Sequence, residues 1–484
     1  MTGTARERVL DADVCVVGAG AGGGVVSAEL AEAGMSVVVL EEGEWHDAAT
    51  YSASMPRMLA ALYHDGGQTF TVGRPPILLP LGRGVGGTTA VNSGTCFRTP
   101  ARVLEMWQRD FGIDVGAEAL TPCFERVEGA LCVSEVTPEL AGGNARVARR
   151  GAQALGWSHG YLRRNASGCV GLGVCTLGCP AEAKQHTGIT YLPRARDAGA
   201  RIVTGARAQR VIVDRGRARG VLAQVGGGSL RVRAGTVILA AGTIHTPLLL
   251  ARSGIGSGSG QLGRNLSVHP ATAVFARMPE NVDMAHGVPQ SFYVDEFADE
   301  GIMFEGAAGP PAYAALALPL TGARHAQAMA AYRRLALFGL MVSDSSRGSV
   351  RSIMGRPVVR YDLGEDDLGR FRKGLSRMRT LFELAGAEEV YLPLPQGVSP
   401  ARARTRDLKL MAFHPLGTAR ADARATHGVL DGDLAVHGVH GVYVADGSAV
   451  PSALGVNPQL TIMALATRLA FTLLGVPVDA AGSV

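Results

Sequence analysis

The feature that most constrains this chain lies near its start. Residues 13–17 make a short apolar run, followed by Gly18-Ala-Gly20-Ala-Gly-Gly23, a helix-forming stretch over 25–33, and a β-rich run over 35–40 that ends at Glu41. Strand, glycine turn, helix and strand in that order predict a βαβ unit that binds a dinucleotide. Gly18 allows the tight turn, Gly20 lets the backbone approach a pyrophosphate, and Gly23 lets helix and strand pack closely. The helix start offers free N–H groups and a positive dipole end to the phosphates. Glu41 follows Gly18 by 23 residues, where a carboxylate binds a ribose 2′-OH. That acid argues against NADP and leaves NAD and FAD both open.

With 484 residues, 47% of them hydrophobic, the chain exceeds what one core usually holds. Two domains, or one with large insertions, are expected. The net charge of +5 comes from scattered Arg against three Lys, and aromatics are 5% of the chain. A nucleic-acid surface needs a basic stripe with interleaved aromatics, so no nucleic-acid partner is expected. Residues 1–13 are charged and lack an apolar region, so no secretory leader is read there. No uninterrupted run of 18 apolar residues exists; residues 460–478 come closest, broken by Arg468 and Gly475, and read as a buried helix. Seven Cys in such a chain suggest reduced thiols and a cytoplasmic protein.

Further segments narrow the reading. Gly82-Arg-Gly-Val-Gly86-Gly87-Thr-Thr-Ala-Val91-Asn92-Ser-Gly-Thr-Cys-Phe-Arg98 is dense in glycine and small hydroxyl residues, which permits close backbone approach to a flat or phosphorylated ligand. A strand over 236–240 feeds Gly242-Thr-Ile-His-Thr-Pro247, a helix that stops at Gly254. Later come Leu262-Gly-Arg-Asn265-Leu-Ser-Val-His269, Phe413-His414-Pro415-Leu-Gly-Thr418, and a closing run through Asp446 and Gly455-Val-Asn457-Pro458-Gln-Leu-Thr461. These ordered motifs resemble the glucose–methanol–choline (GMC) family of flavin oxidoreductases. A narrower segment, Cys169-Val-Gly-Leu-Gly-Val-Cys175-Thr-Leu-Gly-Cys179-Pro with Lys184 after it, is similar to long-chain alcohol oxidases and their bacterial relatives.

The resemblance implies an α/β fold: a Rossmann-like FAD-binding domain (residues 8–100, 188–272 and 425–484) interleaved with a substrate domain (101–187 and 273–424) built on an antiparallel sheet with helices. Runs over 201–214, 220–224 and 230–232 suggest an antiparallel excursion within the FAD part. It further implies that His414 and Asn457 face the reactive part of FAD. Alcohol oxidation removes a hydroxyl proton and a carbon hydride, so an imidazole base suits it, and an amide can hold the same oxygen by donating. On the residues alone, Asn457-Pro458 also reads as the cap and first turn of a helix.

Cofactor contacts are expected from Gly18, Gly20, Gly23, Glu41, Gly86, Gly87, Asn92, Asp446 and Thr461, with the Val211 backbone near the adenine. Some family members attach FAD through a His in the first signature; Val91 stands at that position, so non-covalent FAD is expected. His269 reads as a structural hydrogen-bonding residue, and His427, His437 and His440 as turn residues. The three Cys, with His186, are a metal set on paper, but packing thiols are the expectation and no metal is expected. The resemblance implies oxidation of a CH–OH group to an aldehyde or ketone, with oxygen or another acceptor taking the electrons. Ala, Leu and Met over 312–320 and 329–341 lean towards a hydrophobic primary alcohol. A hydroxymethyl group of an aminosugar, or a flavin-retaining lyase or decarboxylase, is the alternative.

Overall fold

The computed structural model describes residues 7–478. At its centre is a five-stranded parallel sheet in the order Val442–Val444, Thr236–Leu239, Val14–Val17, Val37–Leu40, Arg201–Val203. Val14–Val17 and Val37–Leu40 are buried at every position, as expected of a parallel sheet covered on both faces. Helix Ala21–Glu32 packs against helices Gln459–Leu474 and Tyr191–Asp197. It begins four residues before the expected stretch, because Gly22 to Gly24 are helical despite their poor propensity. A Cβ on Gly22 would lie 1.7 Å from the Ala445 carbonyl oxygen, and one on Gly23 would lie 1.9 Å from that of Gly18. Close packing outweighs propensity here.

A four-stranded sheet joins Arg8–Asp11, Gly228–Arg233, Arg217–Val225 and Ala206–Asp214, with the last three antiparallel as the sequence suggests. Arg8–Asp11 adds to it as a parallel edge. That strand gives no apolar signal because its residues are mostly exposed.

The third sheet is largely antiparallel and runs Ile77–Leu78, Leu410–Met411, Ala271–Arg277, Leu335–Val342, Ile302–Gly306, Phe292–Val294, His159–Tyr161. Helices Gly142–Leu155 and Glu365–Leu384 pack on it. The mixed α/β class is therefore the one expected. Two large cores form, one around the parallel sheet and one around this antiparallel sheet. Val103, Trp107, Phe124 and Val127 belong to the first core, where the Trp107 indole donates to Ser452 Oγ at 2.8 Å. Ile77 and Leu79 belong to the second. Among the described residues no helix is long and apolar enough to cross a membrane.

Candidate active site

Between the two cores runs a cavity of about 800 Å³. At one end is Glu41, the last residue of the predicted βαβ unit. Its carboxylate accepts from the backbone N–H groups of Ala19 (2.9 Å), Gly43 (2.8 Å) and Gly84 (3.2 Å). Burial pushes its carboxyl pKa up against the pull of those donors. Glu42 stands beside it, near Arg83 and Arg207 at 3.7 and 3.6 Å.

The middle of the cavity is made by two glycine turns in contact. Gly18 takes φ +105°, and a Cβ there would lie 2.2 Å from the Ala240 carbonyl oxygen. A Cβ on Gly20 would meet nothing closer than Gly87 Cα at 3.9 Å, so at this point the wall is bare backbone beside open space. Asp446 closes the floor: it accepts from Gly242 N–H (2.8 Å), Thr246 Oγ1 (2.5 Å), and Ser448 N–H and Oγ (2.8 and 2.5 Å). This cradle, with a helix start behind it, fits the pyrophosphate of a dinucleotide.

His414 and Asn457 meet at the far end, from segments 43 residues apart. Asn457 Nδ2 lies 3.3 Å from His414 Nε2 and donates to Glu305 Oε2 at 3.4 Å. With Asn457 Nδ2 as the donor, Nε2 is the accepting nitrogen and a neutral ring carries its proton on Nδ1, which is buried without a partner. Burial, and then the neighbouring His269, hold the His414 pKa well below the ordinary imidazole range. His269 packs edge-on at 5.5 Å between ring centroids, and its Nε2 accepts from Leu454 and Gly455 N–H at 2.9 and 3.0 Å. The expected structural role describes these bonds, but the ring also lines the cavity.

Gly18, Gly20, Glu41, Gly87, Asn92, Asp446, His414 and Asn457 all line the cavity; Gly23, Gly86, Val211 and Thr461 do not. Gly23 and Gly86 act by packing, and Gly86 N–H donates to the Ala19 carbonyl at 2.9 Å. Val211 lies off the cavity wall, its N–H donating to Ser253 Oγ at 2.9 Å, while Ala206, Arg207 and Ala208, earlier on the strand, line it. Thr461 is also turned away, sharing a 2.8 Å hydrogen bond with Thr99, while Ile462, one residue round the helix, faces the cavity. Asn457 does not cap the helix either. The helix starts at Gln459 behind Pro458, which frees the Asn457 amide for the site.

Glu305 escaped the sequence reading. It is the lone acid in Ile302–Gly306, a strand buried throughout, and that acid inside an apolar run was the available signal. Gln290 Nε2 donates to its Oε2 at 2.5 Å, its Oε1 has no partner, and burial pushes its pKa up to about 7. The Cys cluster does not form a metal set: among the described residues no three His, Cys, Asp or Glu gather suitably. His186 Nδ1 instead accepts from Gly188 N–H at 3.2 Å.

Comparison with known proteins agrees with this geometry. Family profiles for the N- and C-terminal parts of GMC oxidoreductases match residues 59–271 and 344–466. A GMC-type oxidoreductase of Mycobacterium tuberculosis is 41% identical over 477 residues, covering 96% of this chain and 76% of that one. A long-chain-alcohol oxidase of Arabidopsis thaliana is 32% identical over 501 residues, covering 94% and 66%. The crystal structure of pyridoxine 4-oxidase from Mesorbium loti superposes with a TM-score of 0.77 at 20% identity, covering 96% and 99%. Fold and site together define an FAD-dependent oxidoreductase. The chain belongs to the GMC oxidoreductase family.

Proposed function

We propose that the protein oxidises the CH–OH group of an apolar primary alcohol to the aldehyde, with FAD held non-covalently. The observation that carries this reading is His414 Nε2 beside the Asn457 amide nitrogen, 3.3 Å apart on the cavity wall. A hydroxyl oxygen that replaces this contact, within reach of both groups, receives a hydrogen bond from the amide and gives its proton to Nε2. FAD, when bound, supplies the acceptor for the carbon hydride. Glu305 holds the Asn457 amide in place, and His269 fixes the far side of His414. The backbone at Gly18, Gly20 and Gly87 would hold the pyrophosphate, with Asp446 fixing the turn at Gly242 beside it, Glu41 would hold the ribose, and Arg207 with Ala208 the adenine. Val91 lines the cavity without a side chain able to bond to the cofactor.

Support for an apolar substrate comes from the rest of the lining, including Met55, Leu59, Phe70, Leu316, Met341 and Phe413. Phe70, Leu316 and Phe413 are also exposed, so the apolar wall continues to the surface. The Arabidopsis relative, a long-chain-alcohol oxidase, agrees with this chemistry. The test is anaerobic mixing of the holoprotein with fatty, aromatic, sterol and aminosugar alcohols, followed by air. Fatty primary alcohols should bleach the flavin absorption, and peroxide on aeration identifies oxygen as acceptor. Unbleached flavin across the panel defeats the reading, and bleaching by aminosugars alone would transfer it to that class.

A further inference from the structure

Behind the loop 91–95 stand two cations that no carboxylate neutralises. Lys184 and Arg164 are only 1% and 2% exposed. Lys184 Nζ donates to the carbonyls of Asn92 (2.8 Å) and Cys175 (2.6 Å). Arg164 donates through Nε and Nη2 to the Ser93 carbonyl (2.8 and 2.6 Å), and through Nη2 to Cys175 Sγ (3.3 Å). Among the described residues neither pairs with an acid. Carbonyls satisfy the donors but carry no net charge, and a buried charge without a counter-charge is costly.

The loop they support belongs to the reacting end of the cavity. Asn92 donates to Gln459, two residues after Asn457. Thr95 Oγ1 donates to Gln290 at 2.8 Å, and Gln290 donates to Glu305, the partner of Asn457. Asn92, Ser93, Gly94 and Thr95 all line the cavity. Both cations therefore lie one residue behind its wall.

We propose that Lys184 and Arg164 supply, through the loop 91–95, the positive field that stabilises the negative charge FAD gains with a hydride, and so raise its reduction potential. A hydride brings two electrons and one proton, a net negative charge, and a fixed cation behind the wall lowers the energy of that state. The inference rests on the flavin reading above. Both are positioning residues, since neither lines the cavity. Burial lowers the Lys184 pKa only to about 8, which leaves its ammonium charged at neutral pH. Nearby, Arg98 and Arg163 share Glu128, a trio with positive charge left over. Glu305 faces the site from the opposite wall with its carboxyl raised by burial. The sulfurs of Cys175 and Cys179 stand on the same side, Cys175 Sγ accepting from Arg164 at 3.3 Å.

The experiment measures midpoint potential and sulfite affinity of purified, FAD-loaded protein, neither of which needs substrate. Lys184→Met and Arg164→Met should each lower the potential and raise the sulfite Kd roughly tenfold or more. Lys184→Arg should stay near wild type, and Cys175→Ala should leave both readouts unchanged. Methionine variants with wild-type values overturn the proposal. So does a rise in potential in Cys175→Ala equal to the fall in Lys184→Met, since the cluster is then neutral. If Lys184→Met does not fold, Arg164→Met decides on the same readouts, with Arg164→Lys required to restore them. A wild-type protein that takes up no FAD removes the flavin reading itself, a result distinct from a flavoprotein indifferent to these substitutions.

Discussion

Proton affinity at single side chains sets the pH behaviour of the site. His414→Ala should lower turnover by roughly two or more powers of ten, with FAD still bound as judged by the visible spectrum. Burial keeps the His414 pKa well below the ordinary range, so the base stays neutral on acidification. The acid limb of kcat/KM should accordingly fall below about pH 6.5, where a free imidazole titrates. Glu305 behaves oppositely, its pKa rising from 4.5 to about 7 on burial. The folded state then holds more protons than the unfolded one between these values, so stability is full below the lower value. It is lost as pH rises through about 7. Glu305→Gln should abolish that loss, on the order of 3 kcal/mol, and urea midpoints at pH 5 and pH 9 compare the two proteins. A wild-type advantage at pH 9 would contradict the buried-carboxyl account.

At the scale of elements, the glycine turn separates folding from binding. Gly22→Ala puts a Cβ 1.7 Å from the Ala445 carbonyl oxygen, and the shift of helix Ala21–Glu32 that it forces should cost about 1–3 kcal/mol or more. Thermal denaturation of the FAD-free protein measures this. Gly20→Ala meets nothing within 3.9 Å and has φ −83°, so its apo stability should be near normal. Its methyl enters the space assigned to the pyrophosphate, and FAD titration should show weakened binding. The helix Gln459–Leu474 offers a parallel contrast. Thr461→Val breaks the 2.8 Å bond to Thr99 and should cost roughly 1 kcal/mol while FAD affinity is unchanged, because that side chain faces the core.

For the whole molecule, the cavity joins a cofactor cradle to an apolar wall drawn from several parts of the chain. If that wall takes an alkyl chain, each added methylene contributes about 0.8 kcal/mol. Steady-state kinetics on a homologous series should then show kcat/KM rising roughly threefold to fourfold per carbon until the cavity is filled. A flat series would mean that the wall is core and not substrate site. The parallel sheet, its crossover helix, the glycine turns and the acid at its end were legible in the sequence. Each rests on local rules: periodicity, glycine at a positive φ, an apolar run buried on both faces. The pairing of His414 with Asn457 was legible only through resemblance, since no local rule connects segments that meet across a cavity. Tertiary structure alone decided that Thr461 and Val211 face away, that Asn457 is freed from capping, and that Glu305 and Lys184 stand behind the reacting groups. Orientation about a helix or strand axis, and the company of a buried charge, depend on packing partners far away in the chain, and no stretch of sequence carries them by itself.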